Sequence, residues 1–122
     1  MKTIAKLGLA VVVMGMLANL LFGGGGDKDA DIPELIKTGA LVVDTRTSGE
    51  YAGGHIEEAI NIPYDEISRE IYKHTKDQSK WIIVYCHSGA RSGAAKKSLV
   101  SAGYTNVVNG GSFGRMKQLL AK

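Results

Sequence analysis

Trp81-Ile82-Ile83-Val84-Tyr85-Cys86-His87-Ser88-Gly89-Ala90-Arg91 decides how this 122-residue chain is read. Its first five residues form an unbroken apolar row with β-branched side chains at the centre, the pattern of a strand buried on both faces. From Arg91 to Ala102 the pattern turns helical and is stopped by Gly103. The chain's single cysteine lies between the two. In open α/β sheets, ligands bind just beyond the carboxyl ends of strands. The unpaired N–H groups that open the next helix would point back at the sulfur, and helix N-termini favour anions. The guanidinium of Arg91 adds to this effect, so thiolate is favoured over thiol. Gly89 lets the loop wrap tightly. A buried, inert cysteine is the plainer alternative, but it does not explain why small residues and an arginine surround the sulfur. His87 suggests a Cys–His dyad; adjacent residues leaving a strand point in opposite directions, which favours an exposed loop side chain instead.

The same alternation extends outward in both directions. Ile32, Leu35 and Ile36 fit one face of a short helix with Pro33 in its first turn and Gly39 as its stop. Ala40 to Val43 reads as a buried strand ending at Asp44. Thr47 to Ala52 reads as a short helix, with Thr47 as cap and Glu50 three residues on. Ala59 to Ile62 is a short strand closed by Pro63, and Asp65 to His74 a helix. Asn106 to Asn109 is a last strand, Gly110-Gly111 a turn, and Ser112 to Ala121 the closing helix. Strands of continuous Val and Ile alternating with helices predict a single α/β domain, with a mainly parallel central sheet flanked by helices on both faces.

Composition excludes several functions. One cysteine rules out an internal disulfide framework, and with three scattered histidines (His55, His74, His87) it argues against a structural zinc site. Of the 15 basic side chains, Lys2 and Lys6 precede position 23, leaving 13 against 12 acidic ones, no electrostatic footprint for nucleic acid. Lys2 and Lys6 precede an apolar run from Leu7 to Phe22. That order matches a secretory signal, and the helical length of the run, about 24 Å, falls short of the ~30 Å hydrocarbon core. The expected organisation is a signal peptide or membrane anchor over residues 1–22, a Gly/Asp-rich linker over 23–30, and the domain over 31–122. Gly23 to Gly26 lack the strand and the Gly-Lys-Ser/Thr of a phosphate loop and read as linker, with Asp27, Asp29 and Asp31 as solvated charges. The expected location is the periplasm, or the inner-membrane surface if residues 7–22 remain as an anchor; the membrane is a partner only in that second case.

Four motifs in order carry a family resemblance across most of residues 31–122. Cys86-x4-Arg91 after an apolar strand resembles the active-site loop of the rhodanese sulfurtransferases. Val43-Asp44-Thr45-Arg46 resembles their first motif, the segment from Glu50 to Pro63 their second, and Val108-Asn109-Gly110-Gly111 their closing segment. With the leader, the chain is similar to the small exported single-domain rhodaneses of the phage-shock type. The resemblance implies a thiosulfate sulfurtransferase. The Cys86 thiolate would take the outer sulfur of thiosulfate, or of another small sulfur donor. It would then pass that sulfur to cyanide or another thiophilic acceptor, with no metal or organic cofactor. N–H groups of His87, Ser88, Gly89, Ala90 and Arg91 would hold the sulfur anion. A loop of Cys-x5-Arg would suit phosphate; four intervening residues suit a persulfide better. Asp44 and Arg46 border the same region, as loop supports or as a structural ion pair. His55 is expected to bond neighbouring backbone, and Trp81, Tyr51 and Phe113 to lie in the core. A persulfide carrier acting on a protein thiol is the main alternative, and a non-catalytic interaction domain the third. Because an exported free thiol risks oxidation, Cys86 is expected to be recessed.

Overall fold

The computed structural model describes residues 25–121; the leader expected over residues 1–22 lies outside them. The apolar runs form β1 (Leu41–Asp44), β2 (Ile60–Asn61), β3 (Ile82–Cys86) and β4 (Val107–Ser112). They make one sheet in the order β2-β1-β3-β4, every neighbouring pair parallel. The helices are α1 (Ile32–Lys37) ahead of β1, α2 (Ser48–Ala52), α3 (Ile67–Glu70) and α4 (Ala90–Ser101) between strands, and α5 (Phe113–Leu120) after β4. The expected helix from Asp65 to His74 is only α3 followed by a 3-10 turn over Ile71–Lys73. Neither Glu66 nor Glu70 supplies a capping side chain there, and a short uncapped helix readily tightens in its last turn.

Successive residues of a strand face opposite sides, and the sheet uses both. Val43, Ile82 and Val84 pack with Ile67 of α3 and with Ala95 and Leu99 of α4. Val42, Ile83 and Tyr85 pack with Ile32 of α1 and Met116 of α5. Two cores thus share one sheet, which is why β3 reads as an unbroken apolar row rather than an alternating one. Fully burying a Val, Ile or Leu side chain stabilises by roughly 1.5–3 kcal/mol, and all five residues of β3 are buried.

Three expectations need correction. Trp81 is not core: it is 42% exposed. Its carbonyl accepts the Leu41 N–H at 2.9 Å, but it lies ahead of β3, at the amino end of the sheet and outside both clusters. Gly110-Gly111 is not a turn but part of β4. Val84 pairs with Asn109 and Tyr85 with Gly111, so Gly110 is an extra residue, a bulge. A Cβ on Gly110 would stand 2.6 Å from Met116 Sδ, so that buried side chain would have to shift, and Gly111 has φ +85°, a backbone that favours glycine. Nor are Asp27 and Asp31 merely solvated. Asp31 caps α1 by accepting the Glu34 N–H at 3.2 Å. The Asp27 N–H donates to Asn109 O at 2.7 Å, and its carboxylate accepts the Asn109 N–H at 2.8 Å and Lys96 Nζ at 2.7 Å. Arg115 donates to the Asp27 carbonyl at 2.8 Å. The segment before α1 therefore covers the free edge of β4, which would otherwise offer unpaired backbone groups.

Candidate active site

Because every strand runs the same way, Asp44, Asn61, Cys86 and Ser112 end at one edge of the sheet. Cys86 is the last residue of β3 and is fully buried. The chain then passes through His87, Ser88 and Gly89 into α4, with His87, Ser88 and Ala90 exposed. Gly89 occupies the N-cap position with φ +96° and has no side chain with which to cap the helix. The cysteine sulfur lies at this end of the helix and accepts the Gly89 N–H at 2.9 Å. Burial alone would push the Cys86 thiol up. The Ser92 hydroxyl and the N–H groups of Ser92, Gly89 and Ser88 outweigh it and hold the thiol below its ordinary value.

Ser92 is the residue that reading the sequence missed. It is fully buried in the first turn of α4, with its Oγ 3.5 Å from Cys86 Sγ, 3.1 Å from Gly89 O and 2.7 Å from Asn109 Oδ1. A hydroxyl has one proton to donate, so these three acceptors compete for it. The proton can turn to the sulfur when the sulfur is an anion, and to Asn109 when the sulfur carries its own proton. Asn109 fixes the other end of this contact. It donates to Gly89 O at 3.3 Å and accepts the Gly111 N–H at 2.9 Å. The bulge at Gly110 brings the Gly111 N–H back to the side-chain oxygen Oδ1 of Asn109. The available signal was a hydroxyl directly after Arg91, inside the turn whose N–H groups face the sulfur.

Arg91 does not stand as a free cation over the loop. Its Nη1 and Nη2 donate to Glu50 Oε1 at 2.7 Å and Oε2 at 3.0 Å. Glu50 also completes the capping box of α2: it accepts the Thr47 N–H at 3.2 Å and the Thr47 hydroxyl at 3.1 Å, while Thr47 Oγ1 accepts the Glu50 N–H. The bonds from Arg91, together with those from Thr47, bring the Glu50 carboxyl down to about 2. Arg91 is held above its ordinary value, mainly by Glu50 and less by the charge on the sulfur.

A second ion pair lies at the same end of the sheet. Arg46 Nη2 donates to Asp44 Oδ2 at 2.7 Å and to Gly54 O at 2.7 Å, and Arg46 Nε donates to the same carboxylate. The Tyr85 hydroxyl donates to Asp44 Oδ2 at 2.8 Å and accepts the Ile56 N–H at 3.0 Å. Burial pushes the Tyr85 phenol well above its usual range, so it remains a donor. The Arg46 guanidinium also lies 4.6 Å from the Phe113 ring centre. Asp44 and Arg46 thus tie β1, the Gly54–Ile56 loop and the residue before Cys86 into one buried unit. His55 is exposed, stacks on Tyr51 at 3.6 Å and bonds the Tyr51 carbonyl through Nδ1 at 2.8 Å. Tyr51 and Phe113 pack against the second core. Among the described residues no group of three or more His, Cys, Asp or Glu side chains could hold a metal ion.

The comparisons agree with this architecture. Residues 29–114 match the family described as Rhodanese-like domain. The thiosulfate sulfurtransferase PspE of Escherichia coli is 39% identical over 71 residues, covering 58% of this chain and 68% of PspE. The thiosulfate:glutathione sulfurtransferase of Saccharomyces cerevisiae is 36% identical over 77 residues, covering 54% of this chain and 55% of that protein. Among solved structures, a rhodanese with anions from E. coli superposes with TM-score 0.61 at 36% identity, covering 62% of this chain and 89% of that one. The match thus spans about two-thirds of the first relative and about half of the second.

Proposed function

This chain belongs to the rhodanese-like domain family of enzymes, and from that membership we propose that it moves sulfane sulfur from thiosulfate to cyanide or another thiophilic acceptor through a persulfide on Cys86. The observation that carries the reading is the buried Cys86 sulfur at the mouth of α4, accepting the Gly89 N–H at 2.9 Å with the Ser92 hydroxyl beside it. Such a sulfur is ionised more readily than a free thiol and is poised for attack. The thiolate attacks the outer sulfur of thiosulfate. A Cys86 S–S bond forms, the donor's S–S bond breaks, and sulfite leaves with the electron pair. The acceptor then attacks the terminal sulfur, takes it, and the Cys86 thiolate returns. Neither half consumes or releases an electron or a proton, and the cycle is a double displacement with ping-pong kinetics. The same N–H groups that favour the thiolate stabilise the persulfide anion. His87, Ser88, Gly89, Ala90 and Arg91 form the binding loop in this reading, and Asp44 and Arg46 support it from beneath.

The leader over residues 1–22 and the similarity to PspE support export to the periplasm of a bacterium as a small phage-shock-type rhodanese, with the domain over 31–122. Retention of residues 7–22 as an inner-membrane anchor is the second possibility. Among the described residues no helix is long and apolar enough to cross a membrane. Intact mass spectrometry of protein from its native envelope would report cleavage of the leader and a gained sulfur atom together. The activity itself is tested by thiocyanate formation from thiosulfate and cyanide. Wild-type protein should form it and Cys86→Ser should not; equal yields would end the cysteine mechanism. One observation favours the persulfide-carrier reading: the loop's cation is already paired with Glu50, which weakens the case for a dianionic donor. A persulfide that forms slowly from thiosulfate, but is discharged rapidly by a protein thiol, would select it.

A further inference from the structure

Arg91 is the one permanent cation in the Cys86–Arg91 loop. Thiosulfate carries two negative charges, and the guanidinium it would meet is held by a carboxylate through two bonds. We propose that Glu50 is a specificity-determining residue: its carboxylate occupies the guanidinium of Arg91, so a dianionic sulfonate-bearing donor must displace it, while singly charged organic persulfides meet no such competitor. The inference rests on the sulfurtransferase reading of Cys86 and adds to it the charge class of the donor.

Three features separate such a mask from a structural clamp. Both side chains are about one-third exposed, at 31% for Arg91 and 35% for Glu50, so water and small ions reach the pair and the guanidinium can exchange partners without burying a lone charge. Glu50 is fixed independently of Arg91, because Thr47 donates to it from backbone and side chain. The negative charge therefore stays in place when the guanidinium moves. Finally, with its carboxyl near 2, Glu50 stays charged at any pH where the protein would work, so the mask is constant and not a pH switch. A fixed carboxylate also repels an incoming dianion more than a monoanion, in proportion to charge.

The test is binding, not turnover. The Cys86→Ser protein and its Cys86→Ser/Glu50→Gln derivative are titrated calorimetrically with sodium thiosulfate at low ionic strength. Gln is accepted at this position of a capping box, so the substitution removes the charge and keeps the cap. The expected result is binding about tenfold tighter in the Glu50→Gln derivative, equivalent to about 1.4 kcal/mol. That gain should shrink in added salt and vanish when Arg91→Gln is added. Equal or weaker binding in the Glu50→Gln derivative, or binding by neither protein, overturns the proposal. Should the double variant not fold, the Cys86→Ser protein serves alone. Thiosulfate should shift the NMR resonance of the Arg91 guanidinium, and an unmoved resonance overturns the proposal. Whether the intact cysteine gains a sulfur atom is read separately by mass spectrometry, so a failure of the sulfurtransferase reading is distinguishable from a failure of this one.

Discussion

Arg46 and Arg91 each grip a carboxylate through two nitrogens at the same end of the sheet, and each has a shortest contact of 2.7 Å. Only their surroundings differ. The Asp44–Arg46 pair has side chains 0% and 6% exposed, and every remaining lone pair or donor direction that matters is filled by Tyr85, Gly54 or the Arg46 backbone N–H. The Glu50–Arg91 pair lies at the rim, open to water. Desolvation makes the first all-or-none, because removing either partner strands a buried charge. Screening makes the second adjustable. The same two functional groups therefore serve as scaffold below the cysteine and as a changeable surface beside it.

The largest effect should come from breaking the buried pair. Arg46→Ala leaves Asp44 charged, buried and facing Tyr85, and should cost about 3–5 kcal/mol in urea unfolding. A loss under about 1 kcal/mol would erase the distinction between the two pairs. Tyr85→Phe, which removes the bridge between Asp44 and the Ile56 N–H, should cost about 1–3 kcal/mol by the same assay.

How much of this contrast the sequence reveals depends on range. The strand–cysteine–helix junction, the parallel sheet and the Thr47–Glu50 cap are written in neighbouring residues, and the structure has them within a residue or two. Glu50 was legible as half of a cap, because its partner lies three positions away. Its other partner, Arg91, is 41 positions away, and only the tertiary fold brings the two side chains together. That Ser92 meets Asn109 was illegible for a similar reason. Their contact needs the bulge at Gly110, and a pair of glycines before a helix reads as a turn. Trp81 was misplaced because periodicity identifies an apolar run but not where its first residue outruns the layers that cover it. Asp27 was misplaced because a charged residue after glycines carries no sign of the strand edge it will meet.

The thiol itself tests where the two regions meet. The depressed Cys86 value derives from hydrogen bonds, with Ser92 foremost among them. Ser92→Ala should therefore raise the pH at which Cys86 becomes reactive, and slow alkylation by iodoacetamide at pH 7 roughly tenfold, the worth of one hydrogen bond to a charged group. Arg91→Gln should slow it less, because the guanidinium faces Glu50. If Arg91→Gln had the larger effect, the rim would control the sulfur and the hydroxyl would not. The linkage has a sign. A thiol whose value is lowered on folding contributes stability above its unfolded value, and that contribution is lost as pH falls through the folded one. Wild type should thus gain on Ser92→Ala in alkaline relative to acidic buffer.

The smallest effect separates the two jobs of Glu50. Glu50→Gln keeps the acceptor that caps α2 and removes only the ion pair. Glu50→Ala removes both. In urea unfolding the Gln variant should lose at most about 1 kcal/mol, and that loss should fade in molar salt, where the screening length is about 3 Å. The Ala variant should lose about 1 kcal/mol more, because the Thr47 N–H and hydroxyl lose their acceptor while Thr47 Oγ1 still accepts the N–H of residue 50, a difference in neutral hydrogen bonding that salt does not screen. A Gln variant as destabilised as Arg46→Ala would mean that the rim pair is scaffold after all, and that exposure of one-third is too little to free a guanidinium.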